Sequence, residues 1–458
     1  MFGTSGVRGP VGEDVTADLA LSIGRALGST GRERVVVGRD PRETGRFLAD
    51  ALSAGVRETG GDVVRLGQVS TPAVARAVAA RDADAGVSVT ASHNPAPDNG
   101  IKLWQPSGQA FDTPMQEAIA AVVEAGDYDL AAWDGVGRET RWEGATDAHA
   151  EALRAAVGGR SDGSDDESTA PGTPGIADLS VVVDLGNGAG RVTADVLHDL
   201  GADVETLNGQ ADGRFPGRPS EPTAETCASL RSHVAGTDAD LGIAHDGDAD
   251  RTMAVDGDGE FVGGDLLLAL FGRAEAGDGD VVAAPVDTSL AVDDAVAEVG
   301  ASVVRTRVGD VYVAERAKEP DVAFGGEPSG AWIWPDETLC PDGPLAAVKL
   351  AALVARAGPL AEQVGAIERY PLRRENLEFE AKRAVMDGVR ELAADRYDAA
   401  DVDTIDGIRV DIGDGWFLVR ASGTQPLVRL TAEARDPDRC DEILAEARDL
   451  VDEAARGV

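Results

Sequence analysis

The feature that most constrains the fold of this chain is a repeated alternation of strand-like and helix-like segments. Runs rich in β-branched residues, such as RVVVG at residues 34–38 and SVVVD at residues 180–184, alternate with segments of helical periodicity, such as residues 47–59. Strands that alternate with helices predict a sheet of parallel strands whose faces are covered by helices. Because 458 residues exceed what one hydrophobic core accommodates, we expect several such domains.

Breaks in this alternation divide the chain into predicted domains. The stretch 158–175 is acidic and rich in glycine, serine and proline, so it cannot bury apolar area and is predicted to be an exposed linker or insertion. Towards the C-terminus several strand-like runs follow one another, with a hairpin turn at Asp414-Gly415, which predicts an α+β fold. The predicted domains are three α/β domains, residues 1–157, 176–278 and 279–368, and a C-terminal α+β domain, residues 369–458.

The charge of the chain restricts its partners and its environment. It has 82 acidic and 42 basic residues, a formal net charge of −40, and lysine only at Lys102, Lys318, Lys349 and Lys382. Such a surface repels nucleic acids and anionic membranes, which bind through cationic contacts, so neither is expected as a partner. An acidic surface depleted of lysine stays soluble when salt screens charge repulsion, which favours a halophilic protein over an ordinary acidic one.

The cysteines and the apolar runs predict a cytoplasmic protein. Cys227, Cys340 and Cys440 are far apart and show no CxxC or Cys/His spacing, so neither a disulfide framework nor a cysteine metal site is expected. No basic and apolar regions typical of a signal peptide open the sequence. No charge-free apolar run reaches the length of about 18 residues that a membrane-spanning helix needs.

The first chemical motif is VTASHNP at residues 89–95, which contains Ser92 directly after a strand-like run. Ligands bind at the C-terminal ends of strands in α/β sheets, and a serine there acts as a nucleophile when a base or a charge activates it. A turn serine before Asn94-Pro95 is the plainer interpretation of an isolated Ser-His pair. Lys102 follows in a predicted loop, where it is either a phosphate ligand or acid/base group, or a solvated surface lysine.

The second motif is DGDADR at residues 246–251, which follows another strand-like run. Its three carboxylates, Asp246, Asp248 and Asp250, occur at alternate positions and are predicted to converge on one divalent cation. The EF-hand template fails, because it requires glycine where Arg251 stands. A Mg²⁺ site that assists phosphoryl transfer fits better than a solvated acidic loop, since such a cluster is costly without a cation.

Two further loops carry polar groups that could bind a ligand. GGEPSG at residues 325–330 offers a carboxylate and a hydroxyl, which suit the hydroxyls of a sugar. RASGTQP at residues 420–426, with Arg429 beyond it, offers hydroxyls, backbone amides and arginines that can hold an anion. Taken alone, a plain turn and a hairpin connection explain these two loops. No Walker motif or dinucleotide fingerprint occurs, so no nucleotide site is predicted.

Taken in order, the motifs resemble those of the α-D-phosphohexomutase superfamily, which includes phosphoglucomutase, phosphomannomutase and phosphoglucosamine mutase. The opening FGTSGVRG, residues 2–9, also resembles the N-terminal signature of that superfamily. The likeness covers nearly the whole chain, except the stretch 158–175, which looks like a lineage-specific insertion. The resemblance implies three similar α/β domains with mixed sheets and a C-terminal α+β domain, arranged around a central cleft to which each domain contributes a loop.

The resemblance also implies a role for each motif residue. Ser92 matches the phosphoserine, and it completes a Mg²⁺ site with Asp246, Asp248 and Asp250. The charged groups near the transferring phosphate, which are candidates for acid/base work and charge stabilisation, are Arg8, His93, Lys102 and Arg251. The residues that match the sugar-binding loop are Glu327 and Ser329. The residues that match the loop for the non-reacting phosphate are Arg420, Ser422, Gly423, Thr424 and Arg429.

The implied reaction interconverts a hexose 6-phosphate and a hexose 1-phosphate. Phosphorylated Ser92 gives its phosphate to the hexose phosphate, which makes a hexose 1,6-bisphosphate, and the other phosphate of this intermediate returns to Ser92. Phosphoryl transfer needs positioning and charge neutralisation more than covalent chemistry by the protein, and Mg²⁺, Arg8, Lys102 and Arg251 supply such charge. The expected partners are the hexose phosphate and the bisphosphate, and the chain is expected to act as a monomer or homodimer.

Three positions bear on which hexose is used. Gln425 stands where the phosphate loop commonly has glutamate, and Ala331 stands where many relatives have histidine. The Val-Gly-Asp at residues 308–310 resembles phosphoglucosamine mutases, so Asp310 favours glucosamine phosphate, with glucose and mannose phosphates as alternatives. A Mg²⁺-dependent sugar phosphatase and a non-catalytic phosphosugar-binding protein are the competing functions. The retained serine, aspartates and lysine argue against the binding protein.

Overall fold

The structure is a computed structural model, and it describes residues 3, 6–157, 175–422 and 426–457. Several predicted features therefore lie outside the described residues. They are most of the linker 158–175, residues Phe2, Thr4 and Ser5 of the N-terminal signature, and Gly423, Thr424 and Gln425 of the phosphate loop.

The chain divides into two compact units, each made of two stretches. The first unit comprises Met1–Leu267 and Pro328–Gly365, and the second comprises Leu268–Glu327 and Ala366–Val458. The limits of the five predicted segments remain predictions, and so does the central cleft.

A six-stranded sheet with flanking helices opens the first unit. Its elements are β1 (Val7–Pro10), α1 (Ala17–Ser29), β2 (Arg34–Arg39), α2 (Gly45–Glu58), β3 (Asp62–Gln68), α3 (Thr71–Ala80), β4 (Ala85–Val89), β5 (Asp98–Trp104), α4 (Thr113–Ala125), β6 (Glu139–Arg141) and α5 (Ala145–Val157). The strand order is β1-β5-β4-β2-β3-β6. Strands β2, β3, β4 and β6 run parallel, whereas β5 is antiparallel to β4 and to β1. The sheet is therefore mixed: its central strands are parallel, as the alternation predicts, and the edge formed by β1 and β5 contains the antiparallel pairs.

The core of this sheet explains why its central strands are apolar throughout. Val35 and Val37 of β2 pack with Ile23 of α1 and Leu52 of α2, all almost fully buried. Burying each such side chain contributes about 1.5–3 kcal/mol. Helices α1 and α2 approach so closely at Gly24 that a Cβ there would lie 2.1 Å from the Leu52 carbonyl oxygen. This packing fixes α1 and α2 against one face of the sheet.

A second, five-stranded sheet follows in the same unit. Its elements are β7 (Ser180–Asp184), α6 (Arg191–Asp199), β8 (Asp203–Leu207), α7 (Ala228–Ala235), β9 (Leu241–His245), β10 (Thr252–Asp256) and β11 (Phe261–Val262), after a 3₁₀ turn at Ile176–Asp178. The strand order is β11-β10-β9-β7-β8. Strand β7 is parallel to β8 and β9, and β10 is antiparallel to β9. The aspartate motif is thus the connection between β9 and β10.

The next stretch contributes to both units. Its elements are α8 (Gly264–Glu275), β12 (Val281–Pro285), α9 (Leu290–Ala297), β13 (Ser302–Thr306), α10 (Asp310–Ala317), β14 (Val322–Glu327), β15 (Ala331–Ile333), α11 (Gly343–Ala357) and α12 (Leu360–Gly365). In the second unit, β12 runs parallel to β13 on one side and to β14 on the other. In the first unit, Trp332 of β15 donates from its indole to the Thr252 carbonyl of β10 at 2.8 Å.

The C-terminal part of the second unit is an antiparallel sheet covered by two helices. Its elements are β16 (Leu372–Glu378), α13 (Lys382–Arg396), β17 (Val402–Asp403), β18 (Ile408–Asp411), β19 (Gly415–Ala421), β20 (Leu427–Ala434) and α14 (Pro437–Arg456). The strand order is β16-β20-β19-β18-β17. Strands β18 and β19 form a hairpin, but its turn lies at Gly413-Asp414, one residue before the predicted Asp414-Gly415, because Gly413 has the positive φ of 84° and Gly415 already belongs to β19. Val389, Phe417 and Ile443 belong to its buried core, as an α+β fold requires.

Among the residues that the structure describes, no helix combines the length and the apolar character needed to cross a membrane.

Candidate active site

Ser92 lies in the connection between β4 and β5, at the C-terminal end of a parallel strand. Its φ of 49° is in the left-handed region, which costs a non-glycine residue about 1–3 kcal/mol, and its side chain is almost fully buried. Thr90 Oγ1 accepts a hydrogen bond from Ser92 N at 2.8 Å. Arg42 and Ser220 each donate to the Ser92 carbonyl at 2.8 Å. These contacts hold the serine in its strained conformation.

Arg42 is a buried anchor of this loop that the sequence analysis missed. Its guanidinium is completely enclosed and stacks 4.9 Å from the ring centroid of Phe215. It donates to the backbone carbonyls of Ser92, Asn94, Pro95 and Asp98. One side chain therefore fixes the shape of the whole loop around Ser92.

Asp40 holds Arg42 in place through a buried ion pair. Arg42 Nε lies 3.0 Å from Asp40 Oδ2, and Thr90 Oγ1 donates to the same oxygen at 2.7 Å. Burial raises the pKa of Asp40 to about 6, although Arg42 opposes that rise. The sequence signal that could have found both residues is the polar run RDPR at residues 39–42, which begins at the last residue of β2 on the same edge as Ser92.

The connection between β9 and β10 brings three buried carboxylates together. Ligand oxygens of Asp246, Asp248 and Asp250 all lie within 4.8 Å of one another. Thr71 Oγ1 donates to Asp248 Oδ2 at 2.6 Å, whereas Asp248 Oδ1 is buried with no hydrogen-bond partner among the described residues. Burial, then the charges of Asp250 and Asp248, raise the pKa of Asp246 well above its ordinary value. A divalent cation would relieve both the repulsion and the unpaired oxygen, and carboxylate oxygens suit a hard cation.

Ser92 meets this cluster directly. Ser92 Oγ donates to Asp246 Oδ2 at 2.5 Å and lies 3.3 Å from Asp250 Oδ1, although the two aspartates are more than 150 residues away in the sequence. The His93 Nδ1 atom lies 3.3 Å from the same hydroxyl. A phosphate on Ser92 would therefore lie at the carboxylate cluster, where a cation could bind it.

Basic side chains border the serine on the first sheet. Arg8 lies on β1 opposite Gly100 of β5, and its Nε is buried with no hydrogen-bond partner in the part of the chain that is described. Lys102 is almost fully buried, with Nζ 4.7 Å from the ring centroid of Trp104. The prediction that Lys102 lies in a loop is wrong, because β5 pairs with β4 on one side and with β1 on the other.

His93 is surrounded by positive charge. Burial, then the charges of Arg251 and Arg8, lower the pKa of His93 to about 2. The imidazole is therefore neutral near pH 7 in the chain as it stands. Arg251 extends from the end of the aspartate loop, and its backbone N donates to Asp246 Oδ1 at 3.2 Å.

The glycine-rich turn at residues 186–190 supports the aspartate loop. A Cβ at Gly188 would lie 2.7 Å from the Asp246 carbonyl oxygen, so only glycine permits this approach. Beneath the loop, Arg218 Nη2 donates to the His245 carbonyl at 2.6 Å, and Arg218 Nε pairs with Asp184 at 2.6 Å. Both Arg218 and Asp184 are buried, and no motif had indicated them.

The predicted sugar-binding residues occur at the start and end of short elements. In the second unit, Glu327 ends β14, and its Oε1 accepts a hydrogen bond from Gly309 N at 2.6 Å. Asp310, the next residue after Gly309, begins α10 and is largely buried. Ser329 belongs to the first unit and is exposed.

The predicted phosphate-binding arginines lie on neighbouring strands of the second unit. Arg420 of β19 is directly opposite Arg429 of β20. Asp406 grips Arg420 through both carboxylate oxygens, at 3.1 Å from Nε and 3.0 Å from Nη2, and accepts from Val308 N at 3.0 Å. Ser422 is buried, and its carbonyl accepts a hydrogen bond from Lys382 Nζ. The arginines open onto a pocket of about 280 Å³.

Comparison with known proteins matches this architecture over the whole chain. Sequence profiles of the phosphoglucomutase/phosphomannomutase family match in four parts. They are alpha/beta/alpha domain I at residues 1–129, domain II at residues 172–259, domain III at residues 263–370 and the C-terminal domain at residues 375–450.

Individual relatives agree with these profiles. The chain is 43% identical over 456 residues to a probable phosphoglucosamine mutase of Methanococcoides burtonii, with 99% of each chain covered. It is 44% identical over 458 residues to a probable phosphoglucosamine mutase of Methanopyrus kandleri, with 98% of this chain and 97% of that one covered. A crystal structure of a phosphoglucomutase/phosphomannomutase family protein from Burkholderia thailandensis superposes with a TM-score of 0.83 at 27% identity, covering 100% of this chain and 99% of that one.

In the described residues, sheets with flanking helices and a buried serine against a carboxylate cluster are typical of a phosphoryl-transfer enzyme of the α/β class. The chain belongs to the phosphoglucomutase/phosphomannomutase family, the α-D-phosphohexomutases, which are isomerases that use an active-site metal. The fold class implied by the resemblance, three α/β domains with mixed sheets and a C-terminal domain, is confirmed.

Proposed function

We propose that this enzyme interconverts glucosamine 6-phosphate and glucosamine 1-phosphate through a phosphorylated Ser92 and a 1,6-bisphosphate intermediate. The observation that carries the proposal is the position of Ser92 Oγ, buried in a strained loop at 2.5 Å from Asp246 and 3.3 Å from Asp250. A serine so placed can carry a phosphate that neighbouring groups orient and neutralise. An ordinary turn serine does not require a buried arginine such as Arg42 to anchor its loop.

The residues present fit a bound Mg²⁺. Asp246, Asp248 and Asp250, together with the phosphate on Ser92, would hold the ion. When bound, it would supply positive charge to the oxygens of the transferring phosphate. Around it, Arg8, Lys102 and Arg251 neutralise the remaining charge and orient the phosphate for in-line transfer.

The first half of the cycle transfers phosphate from Ser92 to the sugar. The free hydroxyl of the hexose phosphate attacks phosphorus and gives its proton to a basic group of the site, while the bond from phosphorus to Ser92 Oγ breaks and Oγ takes up a proton to become a hydroxyl again. His93 and Lys102 are the two candidates for that group. The second half reverses these steps with the other phosphate of the bisphosphate, so Ser92 ends phosphorylated and the sugar phosphate is isomerised.

Residues of the other loops bind the part of the substrate that does not react. Arg420, Ser422, Gly423, Thr424 and Arg429 would hold the second phosphate. Glu327 and Ser329 would bind sugar hydroxyls. Asp310 would bind the substrate on the side where glucosamine carries its amino group. The glucosamine substrate is supported by the names of the archaeal relatives and by the Val-Gly-Asp run that ends at Asp310.

A phosphoglucomutase or phosphomannomutase with the same mechanism is the alternative. Steady-state kcat/KM for glucosamine, glucose and mannose 6-phosphates, measured with Mg²⁺ and a trace of hexose 1,6-bisphosphate, distinguishes them. We expect the highest value for glucosamine phosphate. A higher value for either neutral sugar would replace that assignment, and release of free phosphate at the turnover rate would indicate a sugar phosphatase.

We place the reaction in the cytoplasm, in a monomer or homodimer. Cys227, Cys340 and Cys440 are all buried and form no disulfide within the described part of the chain, which suits a reducing compartment.

A further inference from the structure

One face of the C-terminal sheet carries an arginine that belongs to none of the motifs. Across β16, β20 and β19, Asn376 lies opposite Arg429, and Arg429 lies opposite Arg420. Two residues along β16, Arg374 lies opposite Thr431. Because side chains alternate between the two faces of a sheet, all of these positions share one face. Arg374 is therefore the diagonal neighbour of Arg429.

The three arginines open onto the same pocket of about 280 Å³, which Asp287 and Asn376 also line. Both Arg420 and Arg374 are close enough to Asp287 for their charges to lower its pKa, although burial, the larger influence, raises it. Arg420 is paired with Asp406. The guanidinium groups of Arg374 and Arg429 have no carboxylate partner within ion-pair distance among the described residues.

A plain structural role would make Arg374 one of the charged residues that protect an edge strand from pairing. The neighbouring Arg373 fits that role, since it projects from the opposite face and pairs with Asp441 at 2.7 Å. Arg374 differs because it is diagonally next to Arg429, which is itself opposite Arg420, and like charges on neighbouring positions of a sheet repel. In a chain with 82 acidic and 42 basic residues, a cluster of three arginines in which only Arg420 has a carboxylate at ion-pair distance among the described residues favours an external anion.

We infer that Arg374 is a further substrate-binding residue, whose guanidinium joins Arg420 and Arg429 in binding the phosphate of the hexose phosphate that is not being transferred. This inference rests on the proposed function and extends its phosphate site by one strand. A guanidinium presents two parallel N–H donors, which match two oxygens of a phosphate. Three arginines from three adjacent strands thus surround the anion on one side.

The test compares Arg374→Ala and Arg374→Lys with the matched control Arg373→Ala, using glucosamine 6-phosphate as substrate. For Arg374→Ala we expect KM to rise about 10- to 100-fold, because the variant loses a charge-assisted hydrogen bond to the phosphate. We expect kcat to stay within about threefold, because a non-transferring phosphate is bound equally in the ground and transition states. Arg374→Lys keeps the charge without the fork, so its KM should be intermediate. Arg373→Ala should leave both constants unchanged.

The outcomes separate this inference from the proposed function. Absence of interconversion by the unaltered enzyme would overturn the proposed function. An active enzyme whose Arg374→Ala and Arg374→Lys variants keep KM within about twofold would overturn the inference alone. A rise in KM of equal size in Arg373→Ala would also overturn it, since that residue faces away from the pocket.

Discussion

At Ser92, the conformation of one residue depends on partners far away in the sequence. Arg42 is 50 residues before it and Asp246 is 154 residues after it, yet both bond to it directly. The short motif around Ser92 alone predicts a turn serine as well as a nucleophile. Asp246 became predictable because its own motif repeats carboxylates at alternate positions. Arg42 was missed because its signal, the polar run at residues 39–42, does not by itself indicate a buried arginine that binds backbone carbonyls.

The several N–H donors of the Arg42 guanidinium lead to a prediction for catalysis. Arg42→Lys keeps a positive charge beside Asp40 but cannot donate to all four backbone carbonyls of the loop. We expect kcat to fall about 100-fold, because a displacement of about 1 Å at the reacting group costs that much. The control is Arg39→Lys, whose partly exposed side chain donates to the Asp40 carbonyl at 3.0 Å. Wild-type kcat in Arg42→Lys would contradict the anchoring role.

At the scale of elements, strands with a regular apolar pattern were predictable and strands with charged or glycine-rich sequences were not. Ser180–Asp184 has the predicted limits, and Arg34–Arg39 extends one residue beyond the predicted run, because these β-branched runs are buried on both faces. Strand β5 was missed because it begins with Asp98-Asn99-Gly100, which resembles a turn. Strand β16 was missed because most of its residues are polar, as an edge strand permits.

Asp406 links two loops of the second unit, and its removal should loosen both. Asp406→Asn would weaken the bidentate ion pair with Arg420 and the hydrogen bond from Val308 N. Val308 precedes Gly309, whose N donates to Glu327 Oε1. We expect KM for the hexose phosphate to rise about tenfold, because Arg420 is no longer held by a strong ion pair, with a smaller change in kcat. The control is Asp321→Asn, which removes a similar grip on Arg316 elsewhere in the unit. Equal effects of both variants on KM would argue against the link.

Three helices of the first unit meet at Asp342, which predicts a pH-dependent stability. Asp342 Oδ2 lies 3.0 Å from Arg76 of α3 and 3.0 Å from His149 of α5, while Oδ1 caps α11 at Leu345 N. Burial alone would raise the pKa of Asp342, but His149 and Arg76 outweigh it and hold the pKa well below its usual value. The stabilisation is therefore complete above the ordinary aspartate pKa and is lost as pH falls below it.

Asp342→Asn measures that contribution. We expect the free energy of unfolding near pH 7 to fall by about 3–5 kcal/mol, the usual cost of breaking a buried ion pair, and the difference to shrink as the pH falls below about 4. Chemical denaturation at several pH values checks this. Asp112→Asn is the control, since Asp112 caps α4 in the same way, at 3.0 Å from Met115 N, and forms no ion pair with any described residue. A difference that does not depend on pH would contradict the account.

At the scale of the whole molecule, the net charge of −40 should make stability depend on salt. Repulsion among carboxylates weakens as the screening length falls from about 10 Å at 0.1 M salt to about 3 Å at 1 M. We therefore expect Tm to rise with KCl over this range. An uncharged osmolyte such as sucrose separates screening from general exclusion effects. A Tm that is unchanged or lower in high salt would contradict a surface adapted to salt.

The central claim is that Ser92 carries the phosphate, and a labelling experiment tests it most directly. The enzyme is incubated with hexose 1,6-bisphosphate labelled at phosphorus, separated from it, and then mixed with unlabelled glucosamine 6-phosphate. We predict one label per chain at Ser92, none in Ser92→Ala, and transfer of the label to the sugar. A labelled Ser92→Ala enzyme, or a label that leaves as free phosphate instead of reaching the sugar, would contradict the account.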